Sequence, residues 1–251
     1  MPLWLQAGWW GLVAGGALVV GALIAWFVRV PQQVVSAIMA FGAGVLISAL
    51  AFDLVDEAER QGGLTSTIAG FLGGAVVYVA ANTLLARHGA RHRKRSGRQQ
   101  PSEQQDSGSG AAIAVGALLD GIPESVVLGL SLLGGAGVSV GVLAAIFISN
   151  VPEGLSSAAG MKQAHRSAGY VFGVWGGIAV ASGLAALLGA VLLDGAPPTT
   201  IAVITAVAAG AILAMIADTM IPEAFERTHA LTGLITAVGF LTAFSIERLG
   251  G

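Results

Sequence analysis

Between residues 111 and 161 the chain reads AAIAVGALLDGIPESVVLGL, then SLLGGAGVSV, then GVLAAIFISNVPEGLSSAAGM. Two apolar segments, each long enough to cross a bilayer, carry a Pro-Glu pair near mid-length: Pro123-Glu124 and Pro152-Glu153. Each glutamate has a polar residue four positions earlier, Asp120 and Ser149, and positions i and i+4 share a helix face. A carboxylate at the centre of a span costs roughly 3 kcal/mol or more, so such residues mark functional sites. Pro123 and Pro152 donate no backbone hydrogen bond, which frees the carbonyls of Leu119 and Ile148. At membrane depth a freed carbonyl must be satisfied by a neighbour, water or an ion.

Composition places the whole chain in the membrane. Of 251 residues 55% are hydrophobic and only 10% charged, against about 25% in a soluble domain. The 37 glycines fit closely packed membrane helices. There is no cysteine, hence no disulfide framework and no thiolate ligand. No cleavable signal peptide is expected, because residues 1–7 lack a basic region and the first apolar run can span by itself.

Eight segments have the length of a crossing, near 8–29, 33–55, 63–86, 111–134, 137–160, 168–193, 199–222 and 230–248. The runs are continuous rather than alternating, so the expected class is all-α integral membrane. Basic residues set the orientation. With the N-terminus outside, ten of the twelve Lys and Arg fall on the inner side, which selects N-out and C-out in a cell (inner) membrane. Residues 87–110, RHGARHRKRSGRQQPSEQQDSGSG, read as a disordered basic cytoplasmic loop within a single transmembrane domain, 1–251. Its histidines, His88 and His92, offer weak metal affinity at most, and its basic run suits anionic lipid.

AFGAGVLISALAFDLVDEA (40–58) aligns with AVAAGAILAMIADTMIPEA (206–224) at an offset of 166. Under the orientation above these helices run in opposite directions, as do the two Pro-Glu helices. Antiparallel copies of one element are the pattern of an inverted-repeat transporter, with its site near the midplane.

Asp120, Glu124, Asn150, Glu153 and Ser149 thus form a set of oxygen ligands suited to a divalent cation. The alternative is that the acids are protonated and bridge helices by hydrogen bonds. No Lys or Arg is expected at their depth, so the missing positive charge is most simply a metal ion or protons. Asp53, Asp56 and Glu57 would form either an electronegative outer entrance or a solvated helix end. Asp218, read as the more buried, would line an inner exit path, and Glu223 would be interfacial.

The motifs that carry this site resemble those of the ZIP (Zrt/Irt-like) metal transporters, whose fourth helix bears His-Asn-x-Pro-Glu-Gly and whose fifth bears a related motif. Here the fourth-helix motif stands as Asp120-Gly121-Ile122-Pro123-Glu124-Ser125 and the fifth as Ser149-Asn150-Val151-Pro152-Glu153-Gly154. The resemblance implies eight helices, both termini outside, and a variable loop after the third. It implies metal bound by Glu124 and Glu153, with Asp120 in the place of the signature histidine. It also implies alternating access in which the first, fourth, fifth and sixth helices rock against the rest. Gly121 replaces an Asn ligand and the sixth helix has no acid, so one oxygen-rich site is expected. Zinc ranks first as cargo on the resemblance, whereas carboxylates favour manganese or iron(II). No enzyme activity, prosthetic group or nucleic-acid partner is expected, and a homodimer is left open. The runner-up is a non-transporting homologue acting as a metal sensor or assembly partner.

Overall fold

A computed structural model describes residues 1–96, 99–102, 104–106, 108–133 and 140–250. Expected boundaries at 134 and 137, and Arg98 of the basic segment, lie outside these residues. Among the described residues the chain is all-helical, without a strand. Nine α-helices occur in order: α1 (Leu3–Phe27), α2 (Gln32–Ala49), α3 (Asp56–Ala86), α4 (Ser109–Ser131), α5 (Val140–Gln163), α6 (Ala168–Leu192), α7 (Pro198–Met215), α8 (Ile221–Thr228) and α9 (Thr232–Gly250). A π-helical turn, Leu50–Val55, joins α2 to α3, and a second, Ile216–Met220, joins α7 to α8.

Among the described residues, six helical stretches are long and apolar enough to cross a membrane. Two of them, Gln32–Ala86 and Pro198–Leu249, run to 55 and 52 residues, more than twice the roughly 20 that a crossing requires. Each is interrupted by a non-helical backbone, at Gly63 (φ 75°) and at His229 (φ 42°). Apolar side chains such as Leu72 and Val76 on α3, Leu188 on α6 and Leu241 on α9 face outward, as lipid requires of a helical membrane protein.

The two π turns begin 166 residues apart, and so do the two breaks. The packing around them is reciprocal as well. Helix α2 lies on α9, and α7 lies on α3. Gly44 of α2 abuts the Thr236 carbonyl of α9, while Gly210 of α7 abuts the Phe71 carbonyl of α3. A Cβ at either glycine would stand 1.9 Å from that oxygen.

Helix α5 is held by backbone-close contacts on two sides. Gly154 meets the Leu18 carbonyl of α1, and Gly21 of α1 meets the Val151 carbonyl of α5, where a Cβ would stand 2.2 and 2.1 Å away. On the other side, Gly42 of α2 packs against Pro152 and Ser149. Small residues let these helices approach closely in a setting where apolar burial alone gives little gain over lipid. The result is a fixed frame around Pro152-Glu153.

The basic segment departs from the sequence expectation. Its described part is not a solvated loop, because Arg93, Lys94, Ser96 and Gln100 are all buried among the helices. A carboxylate buried without a counter-charge is costly, and Arg93 and Lys94 supply one to Asp120 and Glu153.

Gly21→Ala should lower the stability of the detergent-solubilised protein by about 1–3 kcal/mol through overpacking against Val151. Gly16→Ala, where a Cβ meets nothing within 4 Å, should leave thermal unfolding unchanged.

Candidate functional site

Helices α4 and α5 present Asp120, Glu124 and Glu153 to one buried region, and all three are at most 3% exposed. Asp120 and Glu124 sit one turn apart on α4, on either side of Pro123. Glu153 follows Pro152 on α5. Glu124 stands within electrostatic range of Glu153, Asp120 and Lys94. Lys94, which faces both Asp120 and Glu153, links the two Pro-Glu helices.

The counter-charge comes from residues 93 and 94. The Arg93 guanidinium grips Asp120 with a fork: Nε donates to Oδ2 at 2.9 Å and Nη2 to Oδ1 at 2.7 Å. This two-point geometry is the strong form of a carboxylate–arginine bond. Tyr78 of α3 donates to the same Asp120 Oδ1 at 2.6 Å, and Arg93 also donates to the Tyr78 hydroxyl and to Asn82 Oδ1. Lys94 Nζ lies 2.8 Å from Glu153 Oε2 and 3.4 Å from Asp120 Oδ2, bridging the two motif helices. Burial works against the Arg93 charge, but Asp120 more than compensates and lifts its pKa above the ordinary arginine value. The sequence expectation that no cation reaches these acids is thus corrected. Arg93 and Lys94 arrive from outside the spans, where reading each span separately could not place them.

Glu124 is the exception among the acids. Its Oε1 is buried and has no hydrogen-bond partner among the described residues. Among those residues no three His, Cys, Asp or Glu side chains converge as a metal-holding group. Asp120 and Glu153 are separated by the Lys94 ammonium that both of them face.

The two neutral ligand candidates donate hydrogen bonds to helix carbonyls. Asn150 Nδ2 donates to the Ala14 carbonyl of α1 at 3.0 Å, and the Ser149 hydroxyl donates to the Ile146 carbonyl in its own helix. Both residues are buried, and their donors secure helices instead of facing the acids. His92 does not join the acids either. Partial burial, with Arg95 and Arg91 nearby, lowers its pKa and favours the neutral ring.

The two acids near the second π turn are reversed relative to the sequence reading. Asp218 is exposed and takes a 3.4 Å bond from Asn82, whereas Glu223 is fully buried. Glu223 Oε1 accepts from the Ser96 amide, the Ser96 hydroxyl and the Ser156 hydroxyl. The folded basic segment covers Glu223, and this reverses the expected order. Arg95 adds a charge 3.6 Å from Glu223 Oε2 and pairs with Glu226 at 2.9 Å.

Asp53, Asp56 and Glu57 lie at the first π turn and the start of α3. Asp56 pairs with Arg60 and Glu57 with Gln61, both on the surface. Asp53 instead lies in hydrogen-bonding contact with Glu247 of α9, and both line a cavity of about 270 Å³ with Val127, Leu130 and Val142. Glu247 was not singled out by the sequence, where it reads as a helix-end charge. Tyr78 and Asn82 were missed too, although their i,i+4 spacing in an apolar run was a legible signal of a polar stripe.

Breaking the fork from one side should be costly. Asp120→Asn and Arg93→Gln should each destabilise the protein by about 3–5 kcal/mol, because each leaves a buried charge uncompensated. The double variant should lose less than the sum of the two, as read by thermal unfolding of all three proteins.

No protein-family model matches the chain, and no curated protein matches it.

Proposed function

We propose that the chain is a transporter that moves a divalent metal cation across the membrane through the Asp120–Glu124–Glu153 site. The observation that carries this reading is Glu124, a buried carboxylate with an unpartnered oxygen, within electrostatic range of two further carboxylates on proline-containing helices. A cluster of this kind demands positive charge, and a mobile divalent ion is the species a carrier would bring to it. All donors on Asp120, Glu124 and Glu153 are hard oxygens, which suits manganese or iron(II); the likeness to Zrt/Irt-like transporters ranks zinc first.

The shared 166-residue spacing of π turns and backbone breaks supports an inverted repeat, with the stretches at Gln32–Ala86 and Pro198–Leu249 each folding back once to give eight crossings. With the N-terminus outside, the basic segment is cytoplasmic and cargo moves inward by alternating access. One observation favours a second reading, a non-transporting sensor or assembly partner: Arg93 and Lys94 already neutralise Asp120 and Glu153.

Uptake into proteoliposomes separates the two. The wild type should accumulate at least one of Zn²⁺, Mn²⁺ and Fe²⁺ faster than empty vesicles. Glu124→Gln and Glu153→Gln should cut that uptake by about tenfold or more. No uptake of any of the three ions defeats the transport reading, and full uptake by both variants defeats the site.

A further inference from the structure

The segment that carries Arg93 and Lys94 is placed as a plug. It leaves α3 through Gly89, whose φ of 90° turns the chain back, and makes one 3₁₀ turn at Ala90–His92. It then inserts its two cations between α3, α4 and α5. The seat is shaped to receive it. At Gly116 of α4 a Cβ would stand 2.6 Å from Arg93 Cδ, and at Gly160 of α5 one would stand 2.0 Å from the Arg95 carbonyl. Beyond these two cations the described part of the segment is tied down by polar contacts and by Arg95, which pairs with Glu226. Ser96 bonds Glu223, Gln100 donates to the Ser157 carbonyl at 3.1 Å, and Gln163 donates to the Ser96 carbonyl at 2.7 Å. The Ser156 hydroxyl donates to the Lys94 carbonyl.

We propose that this segment is an autoinhibitory plug, in which Arg93 and Lys94 hold the carboxylates that the transported cation must take, so that plug and cargo exclude one another. The proposal rests on the transport reading and adds regulation of the same site. Its basis is coincidence of ligands. Asp120 Oδ1 and Oδ2 and Glu153 Oε2 are the oxygens in contact with the two side chains. The exchange also balances in charge, since one guanidinium and one ammonium together carry the two positive charges of a divalent ion. Displacing the plug therefore leaves the net charge around Asp120 and Glu153 unchanged. Glu124, which the plug leaves unpartnered at Oε1, gives an arriving ion a first oxygen to bind. Polar ties to α5 and α8 can be remade with water once the segment leaves, which an apolar plug could not do without cost.

A plug that competes with cargo lowers apparent affinity by the fraction of molecules in which it is seated. Thiol labelling reads that fraction directly, because the chain has no cysteine of its own. Ser96→Cys places a thiol at a buried position in the plug, 3% exposed, and Gln99→Cys places one at an exposed neighbour. With a maleimide, Ser96→Cys should label slowly without metal and about tenfold faster in saturating Mn²⁺. Gln99→Cys should label fast in both conditions. In the Arg93→Gln/Lys94→Gln background, Ser96→Cys should label fast with no metal added. Labelling of Ser96→Cys in the otherwise wild-type chain that ignores Mn²⁺ overturns the proposal, as does slow labelling in the double-variant background. Mn²⁺ uptake by the same preparations reports on transport separately. Uptake with unchanged labelling sinks the plug alone, whereas unchanged labelling without uptake of Mn²⁺, Zn²⁺ or Fe²⁺ sinks both.

Discussion

Two of the three carboxylates buried in the bundle are matched by positive charge, and the folded chain is arranged around that pairing. Asp120 and Glu153 are held by Arg93 and Lys94, which are drawn in from the segment between α3 and α4. Coulomb attraction is strong in such a setting because little water screens it, and the same low dielectric makes an unpaired group expensive. The pairs are therefore better regarded as conditions for the bundle than as additions to it. Tyr78 and Asn82 extend the network to α3, so one guanidinium ties α3 to α4.

The surrounding helices hold the acids where the cations can reach them. Gly21 and Gly154 bring α1 and α5 to backbone contact beside Pro152, and Gly42 brings α2 against the same turn. Position and charge are thus secured by different means. Close-packed small residues fix the backbone, and ion pairs complete the interior that the packing leaves polar. Asn150 contributes to the first, since its Nδ2 donates to the Ala14 carbonyl of α1.

Much of this was legible in the sequence. The length and continuity of the apolar runs gave a helical membrane protein, and Pro-Glu on two neighbouring spans gave the pairing of Glu124 with Glu153. The 166-residue offset read from the sequence is also the spacing of the two π turns, which the sequence reading did not expect. The origin of the counter-charge was not legible. Arg93 and Lys94 sit in a polar stretch whose composition resembles any solvated loop, and composition says nothing about which two of its cations fold inward. The want of a cation within the spans was itself the clue, because a charge deficit of that size must be met from somewhere. Asp218 and Glu223 were misjudged for the same reason: burial near a helix end is set by what covers it, and the cover is the basic segment.

Gly116 gives this arrangement a selectivity that charge alone would not. With no side chain on that turn of α4, the methylene stem of Arg93 lies flush against the helix before its guanidinium reaches Asp120. An arginine there is recognised along its whole length, by contour as well as by sign. The segment is in effect a key cut for one lock, and its register along the chain, not its basicity, is what the neighbouring helix reads.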